Sequence, residues 1–160
     1  MFARNKTKRG FGFALAIALL FHCGGAISAI APQVASGHDF SVGLSADGRV
    51  YVWGGNSEGE LGDDSTANRS TTLQVPGLSG VTAVAAGDRH SLALLSDGTV
   101  WAWGRNGSGQ LGYVTAASRS PPLQVPGLSG VAAVAAGNAH SIAVKSDGSV
   151  WAWGEGELGD

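Results

Sequence analysis

Residues 87–104 read GDRHSLALLSDGTVWAWG, and this sequence recurs along the chain. Near copies of it begin about fifty residues earlier, at Gly37, and about fifty residues later, at Gly137. A fixed period of this length is typical of repeat architectures in which each unit is one supersecondary element. We therefore divide the sequence into units of roughly 32–80, 81–130 and 131–160, the last of them truncated in its final loop.

Each unit predicts short antiparallel β-strands. In the middle unit, apolar runs cover residues 81–86, 90–95 and 100–103, and the last two runs are joined by Asp97-Gly98. An Asp-Gly pair between apolar runs is a strong hairpin signal and predicts a type I′ turn, which needs positive φ at both central positions. The same turn is predicted in the other two units at Asp47-Gly48 and Asp147-Gly148.

A pair of large aromatic residues follows every predicted turn. Strand alternation places the two aromatic side chains on one face and the small residue between them on the other. We expect these pairs to fill the space between neighbouring sheets, where each buried indole N–H needs a partner. The pairs are Tyr51 with Trp53, Trp101 with Trp103, and Trp151 with Trp153.

The rest of each unit consists of a glycine-rich loop and a proline-containing segment. The segments 69–78 and 119–128 contain Val-Pro-Gly, which is excluded from helices and from central strands and so indicates an edge strand and a turn. No segment beyond the leader has helical apolar spacing. The repeats are therefore predicted to be all-β, with about four short strands per unit, which is the content of one propeller blade.

Four spaced motifs recur together: Gly-x-x-His-Ser, Ser-Asp-Gly-x-Val-Trp-Ala-Trp-Gly, Asn-Gly-x-Gly-Gln-Leu-Gly and Arg-Ser-x-x-Leu-Gln-Val. Together they resemble the repeats of the regulator of chromosome condensation family across residues 32–160. The resemblance implies a β-propeller, typically a closed ring of seven four-stranded blades. With about two and a half units, we expect an open arc, either the truncated product of a longer gene or a chain that covers its edges by self-association. Phe40 departs from the family motif, where His stands at 90 and 140.

Residues 1–31 have the pattern of an export signal. Four basic residues lie near the start, an apolar run covers residues 11–21, and small residues follow. This order of regions predicts a helical, cleaved signal peptide and an exported protein. Two alternatives remain, an uncleaved membrane anchor and a lipid anchor at Cys23. Cys23 is the only cysteine, so residues 32–160 contain no disulfide.

Charge argues against a nucleic-acid partner. Residues 32–160 carry six basic and twelve acidic side chains, a net charge of −6. An acidic body without a basic cluster repels phosphate backbones. No cofactor is predicted either, because the loop at 104–112 lacks a Walker lysine and opens no helix.

His90 and His140 invite a catalytic or metal interpretation, but they recur at repeat spacing and so belong to different blades. A hydrogen-bonded structural histidine that fixes the bend, His90 next to Ser91 and His140 next to Ser141, is the stronger prediction. The polar residues around the bends form a candidate partner-contact patch. Its members are Asp39, Asp88, Arg89, His90, Asn138 and His140.

These observations predict a non-catalytic, exported scaffold for protein–protein interaction, with no metal site and an unidentified protein partner. The resemblance implies two alternatives, guanine-nucleotide exchange on a small GTPase and an enzyme inhibitor of the kind found among secreted propellers. An enzyme on the propeller rim would need a convergent set of acids and histidines, and the sequence spacing offers none.

Overall fold

The computed structural model describes residues 30–113 and 116–156, and within them it contains three antiparallel sheets and no helix. Blade 1 contains β1 (Gln33–Ser36), β2 (Phe40–Leu44), β3 (Val50–Gly54) and β4 (Arg69–Gln74). Blade 2 contains β5 (Val81–Ala86), β6 (His90–Leu95), β7 (Val100–Gly104) and β8 (Arg119–Gln124). Blade 3 contains β9 (Val131–Ala136), β10 (His140–Lys145) and β11 (Val150–Gly154).

The all-β, blade-type architecture is confirmed, and the blades form an open arrangement. In the two complete blades the strands lie in chain order, so that β4 and β8 form the outer edges, and β8 contains Pro121 and Pro122. A proline is tolerated there because an edge strand leaves some backbone N–H groups unpaired. The predicted signal helix and anchor fall on residues outside the described part of the chain. No helix long and apolar enough to cross a membrane occurs among the described residues.

The hairpins form at the predicted places, but their turns are not type I′. Gly98 has a φ of +78°, whereas Asp64 is the only non-glycine described with positive φ. The Gly98 N–H donates to the Leu95 carbonyl (3.0 Å), and the Leu95 N–H donates to the Thr99 carbonyl (2.9 Å). This is a three-residue loop, a type I turn closed by a left-handed glycine. Asp97 therefore needs only ordinary φ, and the other two units repeat the pattern.

In blades 2 and 3 the aspartate of the turn accepts hydrogen bonds from the residue two positions ahead. The Asp97 carboxylate accepts hydrogen bonds from the Thr99 hydroxyl (2.7 Å) and from the Thr99 N–H (2.9 Å). These bonds lower the pKa of Asp97, the hydroxyl contributing most. Asp147 makes the same pair of bonds to Ser149. A short polar side chain bonded two residues ahead stabilises the turn locally.

The hydrophobic core lies between blades. One face of blade 1, with Val42 and Val52, packs against the face of blade 2 that carries Ala93 and Trp103. The opposite face of blade 2, with Leu92 and Ala102, packs against Ala143 and Trp153 of blade 3. We call the Trp-bearing side of each blade its incoming face and the other side its outgoing face. Because side chains alternate along a strand, the aromatic pair of a blade lies on its incoming face, and the small residue between the two aromatic residues lies on its outgoing face.

Alanine substitution at Gly98 and Gly148 separates turn strain from contact between blades. Both glycines have positive φ, but a Cβ at Gly98 would lie 3.1 Å from the Gly130 backbone, whereas a Cβ at Gly148 would meet nothing within 4 Å. Backbone strain alone predicts a loss of about 1 kcal/mol in the free energy of unfolding for Gly148→Ala. For Gly98→Ala we expect a loss of about 2 kcal/mol or more. Urea denaturation measures both, and equal losses would contradict the close approach of blades 2 and 3.

Candidate functional site: the blade junctions and the inner rim

A backbone carbonyl lies at the centre of each junction and accepts two hydrogen bonds. The Glu60 carbonyl of blade 1 accepts from the Ser91 hydroxyl (3.0 Å) and from the Trp103 indole N–H (2.7 Å), both in blade 2. The Gln110 carbonyl of blade 2 accepts from Ser141 and Trp153 of blade 3, each at 2.8 Å. The aromatic pair therefore supplies a polar connection between blades as well as apolar area.

Hydrogen bonds within the glycine-rich loop hold this carbonyl in position. The Asn56 side-chain oxygen accepts from the Leu61 N–H at 2.9 Å, and Asn106 repeats the bond with Leu111 at 2.9 Å. The Glu60 carboxylate accepts from the Glu58 N–H at 2.8 Å. Asn56 and Glu60 are almost fully buried. Buried polar groups that are all bonded within one loop hold its backbone rigid.

His90 joins the second junction. Its Nε2 lies 2.9 Å from the Ser141 hydroxyl, which donates its single proton to the Gln110 carbonyl. The imidazole Nε2 is therefore the donor, and Nδ1 is left as a buried acceptor without a hydrogen-bond partner. The ring lies against Gly87, where a Cβ would come within 2.2 Å of it. The serine bonded to His90 is therefore Ser141 of blade 3 and not the adjacent Ser91.

The environment of His90 keeps it neutral. Burial lowers the pKa of His90 to about 4, with a smaller contribution in the same direction from His140 and an opposing one from Asp88. Blade 1 has Phe40 in the equivalent position, buried beside Gly37 in the same manner. An apolar ring thus replaces the imidazole at the first junction, which shows that the position serves packing.

The bends between the first two strands of each blade form a ladder. The His38 N–H donates to the Asp88 carbonyl (2.9 Å), and the Asp88 N–H donates to the Asn138 carbonyl (3.3 Å). We call residues 37–39, 87–89 and 137–139 the rim surface. Residues 36–38, 86–88 and 136–138 line a shallow polar cavity of about 320 Å³.

The predicted contact residues do not all lie on accessible surface. Asp39 and Asn138 are exposed, and Asp88, Arg89 and His140 are half-buried. The His90 side chain is fully buried between blades 2 and 3, so its assignment to a contact patch is corrected. The structure therefore separates the predicted set into a rim surface and a junction histidine.

The junction acceptors, the carbonyls of Glu60 and Gln110, could not be predicted from the sequence. A backbone carbonyl has no side-chain signature, and only the recurring Leu-Gly after each position marked the loop. The predicted packing of the aromatic pairs between blades holds for Trp101, Trp103 and Trp153, which belong to the two core clusters. It does not hold for Tyr51 and Trp53, which lie outside both clusters, or for Trp151, which is 49% exposed. No group of three or more metal-binding side chains occurs among residues 30–113 and 116–156.

Comparison with protein-family models gives a match to the regulator of chromosome condensation (RCC1) repeat. One model matches residues 33–60, 81–110 and 131–159. A second model of the same repeat matches residues 47–94 and 97–144. Together the matches include all three blades.

Three solved structures are similar to this chain in sequence and in fold. Human WBSCR16 is 30% identical with a TM-score of 0.74, over 80% of this chain and 34% of that one. Yeast RCC1 (Prp20), solved with Kap60 bound, is 29% identical with a TM-score of 0.69, over 78% and 30%. A second structure of Prp20p from Saccharomyces cerevisiae is 27% identical with a TM-score of 0.65, over 79% and 33%. The chain thus spans about a third of the length of these structures.

Replacing His90 with phenylalanine, the residue that blade 1 has at this position, tests its neutral state. Between pH 6.5 and about 4 the unfolded chain binds a proton that folded His90 does not, so wild-type stability falls as the pH falls through this window. We expect a loss of about 3 kcal/mol in the wild type that His90→Phe lacks. Thermal unfolding across this range measures the difference, and parallel curves for the two proteins would contradict a buried neutral imidazole.

Trp103 and Trp101 form a matched pair for the indole bond. Trp103→Phe removes the donor to the Glu60 carbonyl, whereas the buried Trp101 N–H has no hydrogen-bond partner. We expect Trp103→Phe to lower the free energy of unfolding by about 2 kcal/mol and Trp101→Phe by at most half of that. Denaturant titration of the two variants checks the order, and a larger loss for Trp101→Phe would refute it.

Proposed function

Because the chain belongs to the regulator of chromosome condensation (RCC1) repeat family, we propose that it is an exported scaffold that binds a protein partner through its rim surface. The observation that carries the proposal is the backbone ladder from His38 to Asp88 to Asn138. It fixes the three bends relative to one another while their side chains differ from blade to blade. Variable polar side chains on a rigid backbone are typical of recognition surfaces.

The chemistry of the rim surface favours a polar protein surface as its target. Asp39 and Asp88 supply negative charge, and Arg89 supplies positive charge from the neighbouring position. The Arg89 Nε lies 3.9 Å from an Asp88 carboxylate oxygen, so this pair is loose and open to outside partners. Mixed charges on a surface give specificity and direct the approach of a partner.

The related structures support binding of proteins by this type of repeat. Yeast Prp20 is described in complex with Kap60, and a second study describes its binding to Gsp1p and histones. Export is supported by the basic start and the apolar run within residues 1–31. Nucleotide exchange and enzyme inhibition are the finer alternatives, and they stay predictions.

Two double variants with the same chemistry test the proposal. Asp88→Ala with Arg89→Ala removes an acid–base pair from the rim surface. Asp47→Ala with Arg49→Ala removes an exposed pair, 3.0 Å apart, from the hairpin turn at the other end of a blade. Tagged protein is used to capture partners from the exported fraction of the native host. We expect one partner to be retained by wild type and by the Asp47/Arg49 control, and its recovery to fall about tenfold or more with the rim variant.

Two results would contradict binding through the rim surface, and a third would contradict export. Equal loss of the partner with both variants would show binding elsewhere on the blades. Recovery of no partner by wild type above a mock capture would argue against a scaffold. Retention of the whole protein in the cytosol of the native host would contradict export alone and leave the rim surface to be tested with cytosolic proteins.

A further inference from the structure

A polar cavity of about 370 Å³ lies between blades 1 and 2. Residues 57–59 and 64–66 of blade 1 line one side of it, and Ser118 and Ser120 of blade 2 line the other. The Ser118 hydroxyl donates to a Glu58 carboxylate oxygen at 2.7 Å and so joins the two sides. Both blades have all four strands, so the cavity is formed inside the arc and not at an open face of it.

The cavity is negatively charged, and no lysine or arginine lines it. Its two carboxylates belong to Glu58 and Asp64, and neither forms an ion pair with another described residue. Arg69, at the start of β4, is bonded to the almost fully buried Asp63 carboxylate at 2.6 and 3.0 Å, so its charge is already neutralised. Two carboxylates without a basic partner attract a cation.

Hydroxyl groups supply the remaining side-chain oxygens of the cavity. They belong to Ser57, Ser65, Thr66, Ser118 and Ser120. The Ser120 Oγ is buried and has no hydrogen-bond partner among the described residues. A buried polar atom without a partner costs the fold free energy, and a ligand that donates an N–H to it would remove that cost.

The repeat does not require the two acids. The glycine-rich loop keeps its asparagine and its Leu-Gly in units 1 and 2, whereas Glu58 corresponds to Ser108, and Asp64 corresponds to Val114. The residues that build the junction are therefore shared between the units, but the charges of the cavity occur only in the first. This difference separates the cavity from the general construction of the blades.

The size and lining of the cavity narrow the kind of cation. One water molecule needs about 15 Å³, so a single metal ion would leave most of the cavity unfilled. No aromatic ring lines the cavity, whereas quaternary ammonium groups are bound by aromatic cages. One oxygen of Glu58 already accepts from Ser118, so this carboxylate does not have both oxygens free for a guanidinium fork. A primary ammonium carries three donors on one nitrogen and suits scattered carboxylate and hydroxyl acceptors.

We propose that this cavity binds a primary alkylammonium group, supplied by a free diamine or by a lysine side chain of a protein. Glu58 and Asp64 balance its charge, and the hydroxyl groups, that of Ser120 among them, accept hydrogen bonds from its N–H groups. No residue of the cavity belongs to the rim surface. The inference therefore goes beyond the proposed function and is tested without the rim partner.

Titration of the full chain with cadaverine, followed through backbone amide NMR shifts, tests the site. We expect shifts centred on residues 57–59 and 64–66, with a dissociation constant of about 1 mM that rises as salt is added. The diol of the same chain length lacks the charge, and tetramethylammonium lacks the N–H donors, so neither should produce these shifts. Equal binding of either compound, or no binding of cadaverine, would overturn the proposal.

A capped lysine, acetylated at its amino group and methylamidated at its carboxyl group, distinguishes the two sources of the ammonium. Binding at least as tight as that of cadaverine supports a lysine side chain. Binding about tenfold weaker supports a free diamine, whose second ammonium adds attraction to the acidic cavity. Cadaverine binding that is insensitive to salt would contradict charge recognition from either source.

Two substitutions connect the binding to the cavity. Asp64 has positive φ, which asparagine also adopts, so Asp64→Asn removes the charge and keeps the loop. The control is Asp39→Asn, at an exposed aspartate outside the cavity that likewise has no ion pair with a described residue. We expect Asp64→Asn to weaken cadaverine binding by about fivefold or more and the control to leave it unchanged.

Ser120→Ala separates a binding role from a structural one. Its buried hydroxyl bonds no described residue, so the substitution should leave thermal unfolding unchanged and weaken cadaverine binding by about threefold or more. A loss of stability with unchanged affinity would show that the hydroxyl serves the fold. Unchanged affinity in both Ser120→Ala and Asp64→Asn would overturn the proposal.

Discussion

The fold depends on one repeated interaction, a loop carbonyl that accepts a serine hydroxyl and an indole N–H from the next blade. At the first junction the carbonyl belongs to Glu60 and the donors are Ser91 and Trp103. A four-stranded sheet with two apolar faces cannot cover both by itself, so each blade needs its neighbour. The shared carbonyl fixes the register of that contact, which apolar packing alone leaves free to slide. The rim ladder and the buried His90 both depend on this register.

Much of the architecture could be predicted from local signals. The strands of the middle unit lie where the apolar runs placed them, because Asp97-Gly98 and the alternation around Trp101 and Trp103 act over a few residues. The predicted type I′ turn was wrong, and the reason is also local. Asp-Gly serves both two-residue and three-residue loops, and the choice depends on which residues pair across the hairpin, here Leu95 with Thr99.

The site was less predictable, because its contacts join distant residues. His90 and Ser141 are 51 positions apart, so nothing in the sequence around His90 identifies its partner. The acceptors are backbone atoms, which leave no trace in residue identity. Burial removed His90 from the predicted contact patch because neighbouring blades pack on both faces of blade 2. Exposure of the bends, by contrast, followed from their position at the strand ends.

The repeat also explains where function can lie. Residues that bond across junctions are similar in every unit, so they are committed to assembly. The side chains of the rim surface differ between units, and this difference is the basis of the proposal that they specify a partner.

Hydrogen exchange of the tryptophan indole protons, followed by NMR, tests whether the shared carbonyl holds neighbouring blades together. The Trp103 N–H is bonded at the junction with no exposed surface, whereas Trp151 is 49% exposed. Exchange at Trp103 then requires the blades to separate, so we expect it to be slower than at Trp151 by about a hundredfold or more. Equal exchange rates at Trp103 and Trp151 would show that the bond to the Glu60 carbonyl does not hold the first junction closed.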